Sequence, residues 1–224
     1  MRGLPHRASG EESSKLMAAR LFSRIARFAF VAAAATSLAG CGVNSIPTAQ
    51  ENAKAKLADL QSQYQRRSDL IPNLVATVKG SAAHEEDTLT KVTEARAKAS
   101  SIQITGDDAS DPDKMAKFAQ AQGALSQGIG RLLATTEAYP DLKANDSFLA
   151  LQSQLEGTEN RINVARHDYN EAVRDYNVTI RTFPAVVAAN VIYGSKPMVP
   201  FAVTTPGADQ AAPTISFDTP AAKK

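Results

Sequence analysis

The stretch Phe148 to Pro184, FLALQSQLEGTENRINVARHDYNEAVRDYNVTIRTFP, decides the fold of this chain. Its apolar or small residues are Phe148, Leu151, Leu155, Thr158, Ile162, Ala165, Tyr169, Ala172, Tyr176, Ile180 and Phe183, at intervals of three and four. That spacing lines one face of an α-helix. At ~1.5 Å per residue the helix would run to roughly 55 Å, and a stripe of that length is buried only by other long helices lying alongside. The dipeptide Tyr-Asn occurs twice on it, at Tyr169-Asn170 and Tyr176-Asn177, two turns apart on one face. Each ring can be buried while its hydroxyl reaches a partner, so the pairs read as a polar-tipped core layer before they read as a ligand site.

The partner helices lie upstream. Over residues 49 to 103 the same spacing continues through Ala53, Leu57, Leu60, Tyr64, Arg67, Ile71, Leu74, Val78, Ala82, Glu85, Leu89, Val92, Arg96 and Ala99. Pro72 lacks an amide donor and crowds the preceding turn, so a kink or a restart is expected there. A second break is expected at Gly80 to His84, where an acidic run suited to a helix start follows the glycine. Residues 104 to 111, ITGDDASD, form a loop ending in Asp111 as N-cap, with Pro112 at the first helical position. The next helix carries Met115, Phe118, Gln122, Leu125, Ile129, Leu132, Thr136 and Tyr139 on one face, and Gly123, Gly128 and Gly130 would let a neighbour approach closely. Asp146 or Ser147 should cap the organising helix. After Pro184, AVVAANVIY can hold two more helical turns before Gly194. Prolines 197, 200, 206, 213 and 220 then define an extended or disordered tail, with Phe201 and the TISF run at 214 to 217 as its expected anchors.

The N-terminus bears on the compartment. Arg20, Arg24 and Arg27 precede the apolar run Phe28 to Thr36, which is followed by Leu38-Ala39-Gly40-Cys41. A basic region, a short apolar region and small residues at a cleavage point make a secretory signal. LAGC resembles the lipobox of bacterial lipoproteins, which implies cleavage before Cys41 and a lipid on its sulfur. An ordinary signal or an uncleaved anchor is the alternative, but the run is short of the ~20 apolar residues needed to span a bilayer. Met17 is a candidate start. Cys41 is the single cysteine, so no disulfide and no other thiol is available. Removing residues 1 to 40 takes six of 25 basic and two of 23 acidic residues, leaving 19 and 21, so the formal net charge of +2 becomes −2. Nucleic acid is therefore not implied as a partner. The reading in order is a signal over 1 to 40, a tether over 41 to 48, a helical domain over 49 to 193 and the tail over 194 to 224.

Reactive constellations are not evident. No Glu-x-x-His pairs suit a di-metal bundle, and His84-Glu85-Glu86 lacks the second histidine of a zinc protease helix. There is no nucleophile elbow, no Ser-x-x-Lys and no phosphate-cradling loop. Catalytic, cofactor and metal residues are thus expected to be none, with lipidation at Cys41 the one assigned site. Glu156, Glu159, Arg161 and Arg166, with Arg66, Arg67 and Asp69, form a charged group that either pairs between helices to fix register or presents a face to a partner.

The stretches RRSDLIPNLV at 66 to 75, TVKG at 77 to 80, EAYPDLKAN at 137 to 145 and LEGTENRI at 155 to 162 resemble the LemA family. So do Ala165-Arg166, Tyr169-Asn170, Tyr176-Asn177 and Phe183-Pro184, in order over most of residues 49 to 184. The resemblance implies an all-α, elongated up-and-down four-helix bundle on a membrane-associated bacterial protein, and implies no known reaction. Members of the family generally look held by an N-terminal transmembrane segment, from which the lipobox departs. The tail departs further: only Pro200-Phe201 and Ile215-Ser216-Phe217 are similar to the family's end. The expected function is an interaction or scaffold module at the cell envelope, facing the periplasm or exterior, with the membrane and an unidentified envelope protein as partners. The alternative is a carrier of a small apolar ligand in a cavity left by Gly157, Ala165 and Ala172. An envelope hydrolase would need a catalytic set that is not evident.

Overall fold

Arginine at position 67 and proline at position 72 fall within one unbroken helix in the computed structural model, which describes residues 9–81 and 85–202, with side chains over 43–80 and 85–202. The helices are α1 (Ser9–Ser81), α2 (Glu86–Ser101), α3 (Pro112–Thr136), α4 (Pro140–Lys143), α5 (Asp146–Thr179) and α6 (Ala185–Ala188), with a 3₁₀ turn at Asp107–Ser110 and a π-helical turn at Ala189–Tyr193. Among the described residues there is no strand. Two compact units divide the chain, one of Glu51–Asp175 with Lys196–Lys224, the other of Met1–Gln50 with Tyr176–Ser195.

The first unit is the four-helix bundle. Lys56 meets Asp168 and Arg67 meets Glu159, so α1 and α5 run antiparallel. Ser68 meets Ser100, Val92 packs on Gly128 and Tyr139 reaches back to Glu85, which sets α2 against both α1 and α3. Tyr64 beside Phe118 and Arg67 beside Ser126 place α3 parallel to α1. Up, down, up, down is the resulting order.

The interior is the predicted stripe. On α1, Ala53, Leu57, Leu60, Tyr64, Arg67, Ile71, Leu74 and Val78 are all buried, and on α3 so is every predicted residue from Met115 to Thr136. On α5, Phe148, Leu155, Thr158, Ile162, Tyr169, Ala172 and Tyr176 are buried, as is Ile180 just past its end. Phe183 departs from the stripe at 76% exposure, because α5 ends at Thr179 and the turn that follows swings it outward. Of the three glycines on α3, only Gly128 sits against a neighbour, with Val92 Cγ2 3.4 Å from where a Cβ would stand; Gly123 and Gly130 face open space.

Capping follows the chemistry of the termini. Asp111 Oδ1 accepts from the amides of Asp113 and Lys114 at 3.0 and 3.2 Å, as predicted. At α5 the cap is Asn145, whose Oδ1 accepts from Ser147 and Phe148 at 3.0 and 3.1 Å, and not Asp146 or Ser147. Asp146 already lies inside the helix, so its neighbour supplies the oxygen that reaches back over the first turn.

Of the two outcomes expected at Pro72, the restart does not occur: α1 runs through the proline. The proline leaves the Ser68 carbonyl without its usual amide donor, and Arg96 of α2 donates Nε–H to that oxygen at 2.9 Å. The break comes instead at the second expected place, after Ser81, and α2 begins at Glu86. Residues 43–48, expected as tether, are helical: Ile46 is fully buried and extends the stripe upstream, and Thr48 Oγ1 donates to the Asn44 carbonyl at 2.8 Å. The TISF segment, His84 and Ala82 lie outside the described residues.

Arg96→Ala should therefore cost about 1–2 kcal/mol in chemical denaturation, as expected for loss of a charged donor to a part-buried carbonyl. In a Pro72→Ala background, where the backbone again supplies a donor, that cost should shrink. Equal losses in both backgrounds would disprove the coupling.

Candidate functional site

Arg67 occupies a stripe position on α1 between Leu60 and Leu74 and is 2% exposed. A guanidinium there must find acceptors. Nη1 donates to Ser126 Oγ at 2.6 Å and to Glu159 Oε2 at 3.1 Å, while Nη2 donates to the Gln122 carbonyl at 3.1 Å and to Gln122 Oε1 at 2.8 Å. Its Cζ lies 5.0 Å from the centre of the Tyr64 ring, a cation–π distance, and Nε faces no acceptor. One side chain on α1 thus ties together α3 and α5. Glu159 is about half exposed, so water screens its attraction to Arg67, and the fixed acceptors on α3 carry more of the hold.

Next to this hub the tail crosses the bundle. Phe201 is buried against Tyr64 and Phe118, with ring centres 5.9 Å from each, and Tyr64 and Phe118 meet edge to face at 5.5 Å. Tyr169 OH donates to the Val199 carbonyl at 2.9 Å. Asn170 brackets Phe201: Oδ1 accepts its amide at 2.7 Å and Nδ2 donates to its carbonyl at 3.1 Å. The Val199 amide donates to the Ala109 carbonyl at 2.8 Å. The first Tyr-Asn pair is therefore a clamp for the tail, and Phe201 is the anchor it was expected to be. Burial pushes the Tyr64 phenol up to about 12, an effect partly offset by Arg67 and Arg166, and burial raises Tyr169 as well.

Of the predicted charged group, the structure joins only Arg67 and Glu159 across helices, which is the register-fixing reading. The other members make local bonds or stand at the surface: Glu156 accepts from Gln152, Arg166 donates to Asn163, and Asp69 accepts from Gln65, each within one helix. Arg66 and Arg161 are exposed. Gln122 and Ser126 were not singled out from sequence as ligands of Arg67; their one signal was position, on the α3 face that meets α1.

Two clefts are large enough for a small ligand: one of about 350 Å³ includes Ala165 beside Lys56, Gln63, Val164 and Asp168, and one of about 360 Å³ lies between Val75, Lys79, Leu89 and Thr93. Ala172 is packed and Gly157 faces open space. A cavity of about 150 Å³ adjoins Arg67 and Phe201, and one of about 240 Å³ lies between Gln61, Gln65, Ser68, Ser100 and Gln122. Among the described residues no three histidine, cysteine or acidic side chains converge as a metal centre would require. His167 is exposed on α5, and Glu85 is engaged by the Tyr139 hydroxyl at 2.9 Å.

An up-and-down bundle of long helices, locked by one buried arginine and strapped by its own tail, is the class of protein defined here. The model of the LemA family matches residues 56–217, and the chain belongs to that family. It is 27% identical over 145 residues to magnetosome protein MamQ 2 of Paramagnetospirillum magneticum, covering 58% of this chain and 53% of the relative. It is 26% identical over 143 residues to MamQ of Magnetospirillum gryphiswaldense, covering 57% and 53%. Over 111 residues it is 27% identical to protein LemA of Metamycoplasma hominis, covering 50% and 47%. The chain spans about half the length of these relatives.

Arg67→Ala should destabilise the fold by about 2–4 kcal/mol, through the cavity and the orphaned Gln122 and Ser126 acceptors, whereas Glu159→Gln should cost below ~1 kcal/mol because water already reaches that carboxylate. Similar losses in urea denaturation would contradict this division. In alkaline titration followed by phenolate absorbance, Tyr64→Phe and Tyr169→Phe should each remove signal from the upper end of the curve and none near pH 10. Both phenols are neutral below pH 10 in the folded and unfolded chain. Above it the unfolded chain ionises first, so stability should fall as pH rises from 10 towards about 12.

Proposed function

We propose that this LemA-family protein is a lipid-anchored helical module of the bacterial cell envelope, facing the periplasm or exterior, which binds partner proteins and catalyses no reaction. The observation that carries the reading is the N-terminal order of Arg20, Arg24 and Arg27, the apolar run Phe28 to Thr36 and LAGC, ending in the chain's single cysteine. Acyl chains on Cys41 would supply the membrane affinity. A non-catalytic role is supported by how the buried polar side chains are used. Arg67, Ser68 and Gln122 bond across helices, while Thr136 and Thr158 bond carbonyls of their own helices at 2.6 and 2.7 Å. These groups hold helices and are not poised at a reacting atom.

Mass spectrometry of the mature protein from the native cell should find Cys41 at the amino end carrying a diacylglycerol thioether, and Cys41→Ser should move the chain out of the detergent phase on partition. A free thiol at that end would remove the anchor. Crosslinking in intact cells should recover the same envelope protein in repeated pull-downs; no reproducible partner would remove the scaffold role.

A further inference from the structure

Among the described residues eight large apolar side chains stand exposed, and six of them fall between Val178 and Tyr193. The segment is inverted relative to ordinary folding. In α6 and the π turn, Ala185, Ala188 and Ala189 face inward and are buried, while Val187, Val191 and Ile192 face outward at 56, 79 and 62% exposure, with Phe183 at 76% and Tyr193 at 43%. Gly194, at φ +55, closes the turn, and the Ser195 amide donates to the Ala189 carbonyl at 2.9 Å, so the outward face is held in place. Contiguous exposed apolar surface of this kind marks a contact.

Charge selects the occupant. The twenty residues Tyr176 to Ser195 contain no aspartate or glutamate and one ionised side chain, Arg181, in a chain that is 21% charged. Absence of acid, a single arginine and a tyrosine beside aliphatic side chains match the interface of an anionic bilayer. The compact unit that holds this segment also holds Met1–Gln50, with its basic and apolar N-terminal stretch and Cys41. Among the described residues no helix is long and apolar enough to cross a membrane.

We infer that Phe183, Val187, Val191, Ile192 and Tyr193 form a second membrane contact that seats in the headgroup region of an anionic bilayer. The inference rests on the anchoring proposed above and adds to it a fixed orientation, with this end of the chain held against the lipid.

The chain contains no tryptophan, so a single one reports cleanly. The full chain carrying Val191→Trp, or Val164→Trp as an exposed control on α5, is reconstituted in vesicles of phosphatidylethanolamine and phosphatidylglycerol with brominated acyl chains. Emission at 191 should shift to shorter wavelength on addition of vesicles and be quenched about twofold or more, as for an interfacial tryptophan, while 164 stays water-like. Co-flotation with a water-like, unquenched signal at 191 would overturn this contact and leave the anchor standing. Failure to co-float would overturn both. A blue shift at 191 without vesicles would mean that a second copy covers the face, which would also overturn the lipid contact.

Discussion

A positive charge placed in the middle of an apolar stripe has to be met by acceptors on the neighbouring helices, and only a few arrangements of those helices can meet it. Arg67 is that charge. Burying a guanidinium without partners is far more costly than any single apolar contact here could offset, so the bundle forms with Gln122 and Ser126 of α3 and Glu159 of α5 opposite it or it forms badly. Leucine and isoleucine layers pack almost equally well after a slip of one turn; a forked donor with four bonds does not. The apolar stripe supplies the driving force, and Arg67 selects the register.

Smaller polar bonds repeat the principle at each joint. Where Pro72 deprives a carbonyl of its donor, Arg96 arrives from α2; where α5 starts, Asn145 covers the first amides; where Ser68 is buried, Ser100 faces it at 2.9 Å. Each bond is modest in net terms, yet each would leave a stranded group if the helices shifted. This explains how a bundle with no disulfide is held to one arrangement, and why a proline that would normally divide a helix sits inside α1.

The spacing of three and four revealed the helices and nearly all of their buried faces, because that pattern is a direct consequence of helical geometry. The sequence also showed that Arg67 stood on the buried face and that Phe201 would anchor the tail. It did not show that Asn145 caps α5, since Asn145, Asp146 and Ser147 are all good caps and the choice depends on where the turn from α4 lets the helix begin. Nor did it distinguish Pro72 from a break, because the compensating donor sits on another helix, at Arg96. Gln122 and Ser126 were unremarkable until α3 was seen lying parallel to α1. The helical state of residues 43–48 was hidden by Pro47 and Gly42, residues that usually interrupt helices; the burial of Ile46 favours it. Sequence periodicity reports faces, whereas pairings between faces are a property of the assembled bundle.

The clamp on the tail takes hold of main chain more than of side chains. Asn170 reads the amide and carbonyl of Phe201, Tyr169 reads a carbonyl, and Ala109 receives an amide, while the side chains buried at this crossing are Met198 and the Phe201 ring beside Tyr64 and Phe118. For anyone trimming or fusing the carboxyl end, the junction belongs beyond Ala202: a cut two residues earlier would uncover an aromatic pair and strip Asn170 of both its bonds.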